Sequence, residues 1–142
     1  MIRLTRRYRF SASHRLNSPA LSARENAEAY GKCNNPRGHG HDYVLEVSVK
    51  GPLDPESGRV VNTSALDRLV EKEVLSRLRH RDLNSEAPEL AQAPPTTENL
   101  AAAIRASLAR YWKQIFPDDF PVLERIRIHE TRRNIFEISE GV

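Results

Sequence analysis

Apolar and polar residues alternate along residues 2–14, which predicts a half-buried β-strand. Ile2, Leu4, Tyr8, Phe10, Ala12 and His14 share one face of it, and Arg6 is the exception on that face. A second alternation over 39–50 gathers His39, His41, Tyr43, Leu45, Val47 and Val49 on one side. Residues 17–38 lie between, with Pro, Gly, Asn and mixed charge, and read as a long loop; such loops in compact domains are usually functional or disordered. Gly51-Pro52 closes the second strand, Pro55 to Gly58 marks a turn, and Arg59–Val61 reads as a short extended piece. The period then changes. Asn62 or Thr63 caps a helix whose apolar stripe is Leu66, Leu69, Val70, Val74 and Leu78. A loop with Pro88, Pro94 and Pro95 leads to a second helix beginning at Thr96 or Thr97, with Glu98 well placed in its first turn. Its stripe is Leu100, Ala103, Ile104, Leu108, Tyr111, Trp112 and Ile115, and Pro117 stops it. Two strands close the chain, one with Ile126, Ile128 and Glu130 on a shared face and one with Asn134, Phe136 and Ile138. The order ββααββ predicts an α+β fold, a four-stranded antiparallel sheet with two helices on one face.

Composition narrows the class. A length of 142 residues suits a single domain over 1–142, large enough to bury a core without disulfide help. The lone Cys excludes an intrachain disulfide and points to a reducing, cytoplasmic setting. No apolar run approaches the roughly 18 residues of a membrane span. The segment MIRLTRRYRFSASH has no apolar stretch behind its basic residues, so no signal peptide is expected. The 22 basic and 19 acidic residues leave a formal charge of +3. Most of the basic residues are Arg, which suits carboxylate or phosphate contacts as well as a solvated surface of mixed sign. No basic stretch is interleaved with aromatics as a single-strand platform requires, so a nucleic-acid partner is not expected.

The candidate chemistry centres on histidine. His39 and His41 are two apart on a strand and project to the same side. His14 ends the first strand on its apolar face, so a hairpin would bring three imidazoles to one point. Three His without a fourth protein ligand compose an open, catalytic zinc site. The same donors suit iron, copper and nickel, and each His taken singly has an ordinary structural reading. Cys33 lies just before the pair, in YGKCNNPRGHGHDY, a polar context that suits a base, a nucleophile or a further metal ligand better than a core residue. His80, in LRHRDLN beside Asp82, is either functional or a helix-terminal His facing the last carbonyls. Glu130 ends an otherwise apolar face, and a buried carboxylate needs a partner: a guanidine-like ligand group or an internal Arg. His129 points to the other face with Arg125 and Arg127 and is given no role.

The segments FSASH, GKCNNPRGHGHDY, NTSAL, HRDLN, PTTEN and ETRRN occur here in that order. In this the chain resembles the 6-pyruvoyl-tetrahydropterin synthase family over nearly its whole length, most specifically in Cys-x5-His-Gly-His. The resemblance implies a tunnelling fold (T-fold) in which three subunits close a barrel and two trimers stack into a homohexamer. It implies Zn2+ held by His14, His39 and His41, Cys33 as catalytic base, and His80 as the histidine of a catalytic Asp-His pair. It implies Glu130 as the carboxylate that anchors the pterin ring, with Thr96 and Thr97 adding ring contacts from a neighbouring subunit. One position departs from the pattern. Arg79 stands where the family has Asp, which leaves three options: Asp82 as a substitute, Arg79 as a triphosphate contact, or a His80 without an orienting carboxylate. The activity implied is zinc-dependent conversion of 7,8-dihydroneopterin triphosphate to 6-pyruvoyl-tetrahydropterin and triphosphate. The alternatives are 6-carboxy-tetrahydropterin synthesis in the queuosine pathway, whose enzymes have a shorter Cys-to-His spacing, and a non-catalytic pterin- or metal-binding homologue.

Overall fold

The computed structural model describes residues 1–139. Four strands, β1 (Ile2–His14), β2 (His39–Gly51), β3 (Val122–His129) and β4 (Ile135–Ser139), form one antiparallel sheet in the order β1-β2-β3-β4. The predicted class and sheet are therefore observed. Register runs from Ile2 opposite Gly51 to His14 opposite His39, so the hairpin β1–β2 is paired along its whole length.

A helical rod and a long helix cover one sheet face. The rod comprises α2 (Thr63–Val70), a π-helical turn (Glu71–Leu75) and α3 (Ser76–Leu78). Asn62 is its N-cap, accepting from the Ala65 amide. The long helix α4 (Thr97–Ile115) is capped by Thr96, which accepts from the Asn99 amide, and it ends before Pro117. The core lies between these helices and the sheet. Tyr43, Leu45, Val47 and Val49 of β2 are fully enclosed against Leu66, Val70, Leu100 and Leu108. Each large apolar side chain so buried contributes about 1.5–3 kcal/mol. Ile115, predicted to join the stripe of α4, is instead exposed at the end of that helix.

Arg6, the charged exception on the apolar face of β1, meets Asp67 of α2 through two hydrogen bonds, the shorter 2.6 Å. The Tyr8 hydroxyl donates to the same carboxylate at 2.7 Å. Both ends of the ion pair are more than one-third exposed, so its energy is small, about 0–1 kcal/mol. Its effect is to fix where α2 docks on β1.

Two local expectations are corrected. The segment 17–38 is not all loop, for it holds α1 (Ala23–Tyr30) and a 3₁₀ turn (Gly31–Asn34). Ser22 and Glu25 form a capping box, each side chain bonded to the other's amide. Of the helix residues only Asn26 is buried, so α1 has no apolar stripe for periodicity to detect. Arg59–Val61 joins no strand, because the Arg59 carbonyl accepts from the Asp54 amide at 2.9 Å and folds the segment back on its own turn.

The other sheet face is charged. Glu46, nearly enclosed, lies beside Arg7 at 2.8 Å, His129 at 3.4 Å and Arg127 at 3.6 Å. Burial pushes the Glu46 carboxyl up, but the neighbouring His129 imidazole and the Arg7 guanidinium outweigh it and hold it below the usual carboxylate range.

Candidate functional site

The hairpin register builds the histidine cluster. His14 is the cross-strand partner of His39, and His41 sits two residues further along β2 on the same side. The three rings stand at nearly equal separations, 4.6 Å for His14–His39, 4.7 Å for His39–His41 and 5.0 Å for His14–His41. One nitrogen from each lies within 4.8 Å of the others. Gly38 makes the approach to the cluster possible. Its φ is +70°, and a Cβ there would meet the His14 carbonyl oxygen at 3.1 Å.

The cluster suits a metal cation in three respects. His14 Nδ1 donates to the Pro95 carbonyl at 2.8 Å, which fixes the tautomer and turns the Nε2 lone pair inward. His14 Nε2 and His39 Nε2 are 3.0 Å apart, close to the about 3.3 Å between tetrahedral zinc ligands at normal Zn–N lengths. Burial pushes the His14 and His41 imidazoles below their ordinary values, which favours the neutral, ligating form. Cys33 does not join this group among the described residues, so its reading as a metal ligand finds no support.

A second constellation lies at the end of β3. Glu130 follows the strand, with its amide bonded to the Asn134 carbonyl at 3.1 Å. Its carboxylate accepts a hydrogen bond from the Thr97 hydroxyl, at the first turn of α4. Within this chain the partner of Glu130 is therefore Thr97 rather than an internal Arg, one of the two alternatives the sequence leaves open. Thr96 turns its own hydroxyl to the helix cap. Tyr43 lies beside this pair, fully buried, and its hydroxyl has no hydrogen-bond partner among the described residues. The Tyr43 ring also packs edge-on to His41 at 5.6 Å. One α4 terminus therefore serves both constellations, with the Pro95 carbonyl behind His14 and Thr97 on Glu130.

Cys33 is half-buried in the 3₁₀ turn. Its carbonyl accepts from the Leu16 amide at 2.7 Å, and the neighbouring Asn34 bonds back to Leu16 and Asn17, so the loop is fastened two residues beyond His14. His80 leaves the helical rod at φ +59°, and its amide donates to the Ser11 carbonyl at 2.6 Å. The chain then runs along the outer edge of β1, bridging Ser13. His80 borders a cleft of about 300 Å3 with Ser11, His41 and Asp42. The two residues whose roles the sequence leaves open each have a local partner. Arg79 makes a two-pronged ion pair with Glu71, both bonds 2.9 Å. Asp82 accepts from the Asn84 amide and the Ser85 hydroxyl, which ties its carboxylate to its own turn.

The Pro95 carbonyl and the Tyr43 hydroxyl carry no signal in the sequence. Nothing in a sequence marks a carbonyl as a partner of His14, and Tyr43 is indistinguishable from a core aromatic in the alternation of β2.

A sequence profile described as 6-pyruvoyl tetrahydropterin synthase matches residues 3–141. The 6-pyruvoyl tetrahydrobiopterin synthase of Drosophila melanogaster is 45% identical over 132 residues, covering 93% of this chain and 76% of the fly protein. The Homo sapiens enzyme of the same name is 41% identical over 132 residues, covering 93% and 87%. The structure of Caenorhabditis elegans 6-pyruvoyl tetrahydropterin synthase superposes with a TM-score of 0.88 at 37% identity, covering 99% of this chain and 96% of that one. The likeness therefore extends through β1–β2, α4 and β3, the elements that supply the imidazoles, Thr97 and Glu130, and the chain belongs to the 6-pyruvoyl tetrahydropterin synthase family.

Proposed function

We propose that this protein is a zinc-dependent lyase that converts 7,8-dihydroneopterin triphosphate to 6-pyruvoyl-tetrahydropterin and triphosphate. The observation that carries the reading is the pairing of two constellations around one helix start: three convergent imidazoles, and a carboxylate held by Thr97. The names of the relatives point to the same reaction.

A Zn2+ held by His14, His39 and His41 would supply Lewis acidity toward the hydroxyls of the substrate side chain. Glu130 anchors the ring. One carboxylate oxygen is occupied by Thr97, and the other is left to accept from the ring nitrogen and amino group. With the ring held there, the side chain extends toward the imidazoles, and binding energy at the ring is converted into placement of the reacting carbons. Cys33 removes a proton from the side chain, and His80 carries protons to and from the site. Triphosphate departs as the leaving group. The side chain is oxidised as the ring is reduced, so the electrons balance within the substrate and no nicotinamide is required.

The open sheet edges support assembly into a homohexamer. Among the described residues no strand pairs with the outer edge of β1 from Ile2 to Phe10, or with the outer edge of β4. Long exposed edges are normally covered by pairing. A cytoplasmic location accords with the single free Cys. No helix of the described residues is long and apolar enough to cross a membrane.

The test is incubation of the purified protein with the triphosphate, followed by mass analysis of the products with and without a chelator. The expected products are triphosphate and the pyruvoyl pterin, lost on chelation and restored by zinc. Acetaldehyde with a carboxylated pterin, or turnover that survives thorough zinc removal, overturns the reading.

A further inference from the structure

A histidine that gains and loses protons gains and loses a positive charge, and it works best where a fixed carboxylate holds the ring and balances that charge. The sequence neighbours of His80 do not provide one, since Asp82 is tied to its own turn and Arg79 is a cation paired with Glu71. The fold does. Two clefts, of about 300 Å3 and 290 Å3, meet at the histidine end of β1, and Ser11, Asp42 and His80 border both. Among the described residues Asp42 is the one carboxylate on either cleft. The other fully charged groups bordering them are Arg9, Arg79 and Arg81, of which Arg79 and Arg81 are drawn toward Glu71 and Glu86.

Asp42 is also held in place. It is the cross-strand partner of Ser11, and the Ser11 hydroxyl donates to its carboxylate. The carbonyl of the same Ser11 accepts the His80 amide at 2.6 Å. One residue of β1 thus fixes the backbone of His80 through its main chain and the carboxylate of Asp42 through its side chain.

We propose that Asp42, held by Ser11, is the positioning carboxylate for His80, and that it does from β2 what no residue adjacent to His80 can do. The inference rests on the reading of His80 as a proton carrier. The proton taken up at the imidazole stays on His80 until it is returned, and the carboxylate stabilises the imidazolium across the cleft.

The experiment compares the zinc-loaded wild-type protein with Asp42→Asn, Asp42→Glu, Ser11→Ala and Asp82→Asn. Asp42 is solvent-exposed, so its replacement leaves the core intact. For Asp42→Asn kcat is expected to fall about tenfold or more, with KM and zinc content unchanged. Asp42→Glu restores part of the loss, Ser11→Ala shows a smaller loss in the same direction, and Asp82→Asn keeps kcat while lowering thermal stability. An unchanged kcat in Asp42→Asn, a loss accompanied by loss of zinc, or a larger loss in Asp82→Asn overturns the inference. A readout independent of turnover is the 15N shifts of the His80 ring, which report which nitrogen carries the proton. These shifts are expected to move in Asp42→Asn, and identical shifts in the two proteins overturn the inference. A wild-type protein with no turnover on the triphosphate defeats the proposed reaction instead.

Discussion

Replacement of Glu130 by Gln separates ligand recognition from folding. The carboxylate has two acceptor oxygens, and the Thr97 hydroxyl donates to Oε2, which leaves Oε1 for a ligand. Gln keeps the shape but offers one acceptor and one donor. If its oxygen stays with Thr97, the amide turns an N–H toward a ring that itself presents N–H donors, so at least one charge-assisted hydrogen bond is lost. Such bonds contribute about 1.5–3 kcal/mol each, and one unmatched donor adds to the loss. The expected fall in kcat/KM is therefore about 30- to 150-fold, from about 2–3 kcal/mol. Stability moves differently. A half-buried carboxylate with a single hydroxyl partner is incompletely solvated, and the neutral Gln removes that penalty, so the melting temperature is expected to stay level or rise. Steady-state kinetics with the triphosphate, calorimetric binding of a reduced pterin, and thermal melts of the two proteins make the measurement. A loss of affinity below about threefold, where a charge-assisted bond is worth tenfold or more, would refute the assignment of Oε1 to the ligand. So would a melting temperature that falls in step with affinity, since Glu130 would then be holding the fold.

The proposed zinc site predicts about one Zn2+ per chain, its loss in His39→Ala, and a melting temperature that drops by several degrees on chelation, as metal analysis and thermal melts will show. Cys33→Ala is expected to lower turnover by about 100-fold or more while leaving zinc content and stability unchanged, because among the described residues Cys33 is not part of the histidine cluster; retained turnover refutes its proposed role as base. Glu46, held below its ordinary value of 4.5 by His129 and Arg7, contributes stability that is fully present above that value and lost as pH falls through its lower folded value. Denaturant melts between pH 3 and 6 are therefore expected to show a shallower acid slope in Glu46→Gln, and equal slopes refute the ion-pair account.

Much of the fold was legible because period and punctuation agreed. The alternation of β1 and β2 placed His14, His39 and His41 on one side, and the structure confirms that facing through a hairpin in register from end to end. The same periodic reading failed at α1, which has no apolar stripe and is defined by a capping box and by Asn26 bonding back to Ser18 and Ser22. Arg6 was visible as an exception but not explicable, since its partner Asp67 lies 61 positions away on a helix.

The site follows the same division between what a strand dictates and what only packing can supply. Ligand facing is a property of β1 and β2 alone, so the imidazoles could be named in advance. The groups that make them usable come from elsewhere: the Pro95 carbonyl 81 positions from His14, and the Thr97 hydroxyl 33 positions from Glu130. Both arrive at the first turn of α4, whose position is set by the apolar stripe Leu100, Ile104, Leu108 and Trp112 against the sheet. A core substitution in that stripe, remote from every candidate residue, is therefore coupled to the His14 tautomer and to the Glu130 carboxylate together. On the proposed reading, the helix must therefore be docked before the two strands can hold either a metal or a ring.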